Sequence, residues 1–121
     1  MKKIIITGAG GFVGLNLINL IDAKKYNLIA MDKNENNLKF LKEINSRIEL
    51  VNAELKDIST SWTKYFNGAD CVIQLQAQIS SPRKRDYITN NIKTVKNVLK
   101  ACKKYRVKNL IHVSTTGVIS A

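Results

Sequence analysis

The sequence predicts an α/β fold, a Rossmann-like doubly wound parallel sheet of about five strands in the order 3-2-1-4-5 with helices on both faces. Three observations carry this prediction. Apolar, β-branched runs alternate with segments of helical spacing along the 121 residues, as a parallel sheet covered on both faces requires. The first run breaks into closely spaced glycines, Gly8, Gly11 and Gly14, after which helical spacing resumes. An acidic residue, Asp32, closes the second run.

Taken in order, strand one is Lys2 to Thr7, and a helix follows from Gly11 to Lys25 with Val13, Leu17, Leu20 and Ile21 inward and Leu15 and Ile18 beside them. Strand two is Asn27 to Asp32. Asn34 caps a second helix through Ile44, in which Leu38, Leu41 and Ile44 recur at helical intervals. Ile48 to Val51 is a short third strand, Ser59 to Phe66 a brief helix with Trp62 in the core, and Cys71 to Leu75 the fourth strand. Ile88, Ile92, Val95, Leu99 and Cys102 then mark one face of a long helix. Asn109 to Ser114 is strand five, in which His112 is expected to be packed and hydrogen-bonded.

A chain of this length with 45% apolar content fits one domain with a single core. Pro82 is the only proline, and no uncharged apolar stretch approaches the ~20 residues that a membrane span needs. The lysine-flanked amino-terminal run enters the glycine turn without a small-residue cleavage pattern, so a cytoplasmic protein with no membrane partner is expected. Cys71 and Cys102 lack metal-ligand or redox spacing and are expected to be buried free thiols; no metal site is implied. The formal charge of +11 invites a nucleic-acid reading. Its distribution argues otherwise: Lys93, Lys96, Lys100, Lys103 and Lys104 fall on the polar side of an apolar stripe, as on a solvated helix face. The positive field would still draw in anions such as nucleotides or nucleotide sugars.

In a doubly wound sheet, ligands lie at the carboxyl ends of the strands. Gly8, Asp32, Glu54, Gln76 and Thr115 each follow or close a strand and are expected to line one edge. The glycines suit a dinucleotide pyrophosphate: one for the tight turn, one for backbone approach to phosphate, one for helix-on-strand packing. A helix starting there points free N–H groups, including those of Phe12 and Val13, at the phosphates. The Asp32 carboxylate can accept from both ribose hydroxyls and would repel a 2′-phosphate, which favours NAD over NADP, a preference that Lys33 tempers. A helix-capping or turn role is the other reading of Asp32.

Thr7-Gly8-Ala9-Gly10-Gly11-Phe12-Val13-Gly14 resembles the TGxxGxxG signature of the extended short-chain dehydrogenases/reductases, the NAD-dependent epimerase/dehydratase group, and the resemblance spans the chain. It implies that Asn52 to Asp57 matches the family's Gly-Asp-Leu-x-Asp segment, with Glu54 in place of the first Asp and the Leu55 backbone beside adenine. Asp70 to Ala77 resembles the strand ending in His-x-Ala-Ala, whose backbone, here Leu75, Gln76 and Ala77, passes along the cofactor; Gln74 and Gln76 depart from the usual His and Ala. Asn91 to Asn97 aligns with Asn-Val-x-Gly-Thr-x-Asn, which makes Asn91 a support of the active site, although the Gly and Thr are absent. Val113 to Ser120 resembles Ser-Ser-x-x-Val-Tyr-Gly and puts Thr115 at the catalytic Ser/Thr position, where a hydroxyl hydrogen-bonds the reacting oxygen.

The family's Tyr-x-x-x-Lys pair does not follow Thr115 before the sequence stops at Ala121. The chain is therefore expected to be an amino-terminal fragment, the NAD-binding part of a nucleotide-sugar epimerase, dehydratase or reductase, inactive alone. Its fifth strand would be an uncovered edge inviting a second copy into a homodimer. A non-catalytic dinucleotide-binding module that regulates or senses redox state is the alternative. Arg83, Lys84 and Arg85, in the stretch after strand four, are candidates for a substrate diphosphate or merely a solvated loop.

Overall fold

The computed structural model of the protein describes residues 1–75 and 84–113. Five parallel strands form one sheet in the order β3-β2-β1-β4-β5. They are β1 (Lys2–Thr7), β2 (Tyr26–Asp32), β3 (Glu49–Asn52), β4 (Cys71–Gln74) and β5 (Asn109–His112). Between them run α1 (Phe12–Leu20), α2 (Glu35–Ile44), α3 (Thr60–Thr63), which continues as a 3-10 turn over Lys64–Phe66, and α4 (Lys84–Lys104). The strand order is the one the sequence predicts.

Successive residues of a strand face opposite ways, so β1 serves two cores at once. Ile5 packs with Met31, Val72, Trp62, Phe66, Val98 and Ala101 on the face covered by α3 and α4. Ile6 packs with Ala30, Ile73, Ile18, Leu38 and Leu41 on the face covered by α1 and α2. Trp62 is buried as expected, meeting Phe66 edge-on at 5.6 Å between ring centres, and its indole N–H donates to the Asp57 carbonyl at 3.0 Å. Among the described residues no helix is long and apolar enough to cross a membrane.

Two helices differ from the sequence reading in the face they bury. In α1 the inward residues are Gly14 and Ile18, with Leu15 and Leu17 partly buried, whereas Val13 is exposed and Leu20 is 81% exposed. Gly14 fixes this rotation, because only a residue without a side chain can lie against the Ala9 backbone. The helix also ends at Leu20 rather than Lys25. Asp22 stops it: its carboxylate accepts from the Lys24 N–H at 2.9 Å and its carbonyl from the Lys25 N–H at 3.0 Å, closing a turn.

In α4 the buried residues are Thr94, Asn97, Val98, Ala101 and Cys102, while Ile92 and Leu99 are 48% and 45% exposed. The inward stripe contains two polar residues and an alanine, so the apolar spacing pointed one position aside. The five lysines lie on the solvated side, as expected. Ile44 is also more exposed than its spacing suggested. His112 is a further correction: all of β5 is exposed, and His112 with it, because no described element covers this edge strand.

Both cysteines are free; Cys71 is half-buried and Cys102 buried. Burial, and secondarily the nearby Cys71 thiol, pushes the Cys102 thiol up to about 11. Burial also raises Cys71. Because the thiolate is the nucleophile, Cys102 is expected to resist an aromatic disulfide reagent at pH 8 until the chain unfolds, with Cys71 reacting first and slowly. Equal, rapid release from both thiols in the native protein would contradict that packing. The folded state keeps its Cys102 proton where the unfolded chain loses it, so stability falls as pH rises from about 9 toward about 11.

Candidate functional site

The carboxyl ends of β1 to β4 gather the site. At the end of β1, Gly8 has φ 69°, a left-handed conformation that glycine adopts without strain. The chain turns there: the Gly11 N–H donates to the Gly8 carbonyl at 3.3 Å, and the Ala9 N–H reaches the Met31 carbonyl of β2 at 3.1 Å. Gly11 is the N-cap of α1 and supplies no side-chain cap; Leu15 donates back to the Gly11 carbonyl at 3.0 Å. The N–H groups of Phe12, Val13 and Gly14 precede that first turn and have no carbonyl within the helix to bond. Gly11, Phe12 and Val13 are exposed, and a Cβ at Gly11 would make only van der Waals contact with the Gly8 carbonyl oxygen at 3.6 Å, so no described residue crowds this corner. This donor set, at the positive end of a nine-residue helix, fits a dinucleotide diphosphate.

Asp32, half-buried at the end of β2, uses both carboxylate oxygens. Oδ2 accepts from the Gly10 N–H at 2.8 Å, and Oδ1 from the Asn34 N–H at 2.8 Å. The turn role is therefore real: Asp32 shapes the entry to α2, whose cap Asn34 accepts from the Asn37 N–H at 3.0 Å. The same carboxylate also holds the glycine loop from the neighbouring strand. Gly10 had no role in the sequence reading, yet a Cβ there would stand 2.7 Å from the Asn37 Cβ and 3.0 Å from Asp32 Oδ2. Lys33 is exposed, and its carbonyl accepts from Asn52 Nδ2 at 3.0 Å; that amide also donates to the Asp32 carbonyl at 3.1 Å. The ends of β2 and β3 are thus tied together.

Beyond β3, Glu54 is half-buried and its carbonyl accepts from the Asp57 N–H at 3.1 Å. Leu55 is buried, and its carbonyl accepts from Asn97 Nδ2 of α4 at 2.9 Å. The Leu75 N–H, just past β4, donates to the Thr7 carbonyl at 2.9 Å. Asn91 lies half-buried on α4. Gln76, Ala77 and Thr115 lie outside the described residues, as does Arg83. The structure therefore brings Gly8, Gly11 to Gly14, Asp32, Lys33, Glu54, Leu55 and Leu75 to one edge of the sheet. Sequence reasoning missed two residues there. Gly10 stood unassigned inside the glycine run; Asn97 was quoted in a motif without a role, because the apolar spacing of its helix left it off the inward face.

Gln74, the position at which the family usually has His, is 1% exposed at the end of β4. Its backbone carbonyl accepts from the Val113 N–H at 3.0 Å, but no described residue hydrogen-bonds either atom of its side-chain amide. A buried unpaired polar group costs about 1–3 kcal/mol. Gln74→Met, similar in size, is expected to raise the melting temperature by several degrees, about 4 °C per kcal/mol. A lower melting temperature on calorimetric scanning would show that solvent holds the amide in place.

Comparison with known proteins agrees with this geometry. The chain is 33% identical over 133 residues to dTDP-D-glucose 4,6-dehydratase of Dictyostelium discoideum, covering 98% of this chain and 30% of that protein. It is 25% identical over 129 residues to dTDP-4-dehydro-6-deoxy-D-allose reductase of a Streptomyces species, covering 99% and 40%. The chain thus spans two fifths or less of the length of these relatives. In fold it is similar to UDP-glucose 4-epimerase from Bifidobacterium longum, solved with NAD+ and UDP, at TM-score 0.81 and 22% identity over 95% of this chain and 37% of that one. It is likewise similar to yeast methylglyoxal/isovaleraldehyde reductase Gre2 complexed with NADPH, at TM-score 0.79 and 17% identity over 93% and 37%. The family profile described as "NAD dependent epimerase/dehydratase family" matches residues 4–121. On that match, which spans the glycine turn and the acidic end of β2, the chain belongs to the NAD-dependent epimerase/dehydratase family.

Proposed function

We propose that residues 1–121 form the NAD-binding part of a nucleotide-sugar epimerase/dehydratase-type oxidoreductase of the cytoplasm, and that this chain binds the cofactor without turning over. The observation that carries the reading is the uncapped start of α1 over an open Gly11, with the Asp32 carboxylate held at the next strand end. Gly8, Gly11, Gly14 and the N–H groups of Phe12 and Val13 hold the diphosphate. Asp32 accepts from the adenosine ribose, with Lys33 at its margin, and Glu54 with the Leu55 backbone meets adenine. Leu75, Gln76 and Ala77 pass beneath the cofactor, and Asn91 supports the reacting end. Bound NAD would supply a hydride acceptor for a sugar carbinol. Thr115 would hydrogen-bond the reacting oxygen, and a nucleotide sugar is the substrate class.

The preference for NAD rests on charge. A 2′-phosphate would be brought against the Asp32 carboxylate, so NADP is expected to bind at least about tenfold more weakly, the effect of about 1.4 kcal/mol. Calorimetric titration of both dinucleotides, with nicotinamide absorbance followed after a nucleotide sugar is added as hydride donor, tests the reading: NAD binding with weaker NADP and no NADH formation supports it, and binding of neither overturns it. The Gln74 amide, which has no hydrogen-bond partner among the described residues and stands where the family carries His, favours the second reading, a non-catalytic dinucleotide-binding module. Turnover by any longer form of the protein would decide against that.

A further inference from the structure

Residues 53–57, between β3 and α3, are held by hydrogen bonds that come from three directions. Asn52 ties the near end to β2 through the Asp32 and Lys33 carbonyls. From α3, the Trp62 indole N–H takes the Asp57 carbonyl at the far end. In the middle, Asn97 Nδ2 of α4 donates to the Leu55 carbonyl at 2.9 Å across 42 residues of sequence, with both partners buried. A five-residue segment fixed at its ends and centre has little freedom left. Because the peptide is planar, fixing the Leu55 carbonyl also fixes the Lys56 N–H. Asn97 occupies an inward position of α4 beside Val98 and Ala101, where an apolar side chain would pack without such a bond. Its placement there trades apolar packing for a defined backbone orientation.

We propose that Asn97 is a positioning residue for the adenine end of the cofactor: it holds the Leu55 carbonyl inward and so presents the Glu54–Leu55 backbone as a fixed wall for the base. This inference rests on the NAD reading above. It also gives α4 two tasks, since Asn91 lies six residues earlier on the same helix, about 9 Å along its axis. Movement of α4 would be felt at both ends of the bound dinucleotide.

The test separates the adenine end from the diphosphate end, using AMP and inorganic pyrophosphate as probes of the whole chain. Asn97→Ala removes the donor and leaves the buried carbonyl unpaired. It is expected to weaken AMP binding about tenfold and to speed hydrogen exchange at the Lys56 amide, while pyrophosphate affinity stays within about twofold. Asn97→Asp, nearly isosteric but unable when ionised to donate, is expected to repeat the pattern. Unchanged AMP affinity in a folded variant would overturn the proposal, and so would a parallel loss of AMP and pyrophosphate, which is the signature of general loosening. If the unmodified chain binds neither NAD nor AMP, the NAD reading itself has failed and the role of Asn97 falls with it. AMP binding by the unmodified chain with no effect of either variant refutes Asn97 alone.

Discussion

Gly14→Ala is expected to destabilise the chain by about 3 kcal/mol or more, at the upper end of what overpacking costs. The added Cβ would lie 2.2 Å from the Ala9 carbonyl oxygen and 2.6 and 2.7 Å from the Ala9 C and Cα atoms. All three belong to backbone, so no side chain can rotate away. Relief requires α1 to lift from the turn, which pulls Ile18 out of its core and moves the Phe12 and Val13 N–H groups off their line. Thermal melting followed by circular dichroism should fall by about 10 °C or more, with NAD affinity lost in parallel. Gly11→Ala is the contrasting variant. Its Cβ meets nothing within 3.6 Å, so the fold should survive while NAD binding drops, because the methyl group takes the space a phosphate needs. A Gly14→Ala protein melting within about 2 °C of the parent would refute the argument.

Asp32→Ala should lower NAD affinity about a hundredfold, a loss of roughly 2.7 kcal/mol, more than one charge-assisted hydrogen bond. Two effects combine. The carboxylate is gone from the ribose position, and the Gly10 and Asn34 N–H groups lose the acceptor they share at 2.8 Å each. The second effect should appear without any ligand as lower stability, of order 1–2 kcal/mol given that the site is only half-buried. The variant should also lose its preference for NAD over NADP. Calorimetric titration of both dinucleotides against both proteins checks all three expectations, and an Asp32→Ala affinity for NAD within about threefold of the parent would remove Asp32 from the site.

The strands were legible in the sequence because a parallel sheet buried on both faces needs continuous apolar runs, and Lys2 to Thr7 and Tyr26 to Asp32 consist largely of them. Helix faces were less legible. In α1 the deciding residue is a glycine that scores as nothing on an apolar stripe, and in α4 the inward stripe carries Thr94 and Asn97. Both helices were consequently read about one residue, or 100°, away from the face they bury. The site shows the same division. Gly8, Asp32 and Leu55 could be located because strand ends locate them, whereas the bonds from Gly10 to Asp32 and from Asn97 to Leu55 join positions 22 and 42 residues apart. No local pattern records such a pairing. Gln76, Ala77 and Thr115 keep only their sequence argument, since they lie outside the described residues.

The strand order has a consequence for how the chain is made. β1 is made before either of its neighbours: β2 covers one side early, whereas β4 starts only at Cys71, 39 residues beyond the end of β2 at Asp32. At roughly 5–20 residues per second, that leaves Ile4, Ile5 and Ile6 as a half-paired apolar edge for several seconds of each synthesis. A nascent chain in that state is a natural client for a holding chaperone. Synonymous codons that slow translation between β3 and β4 should therefore lower the soluble yield of a protein whose finished fold is unchanged.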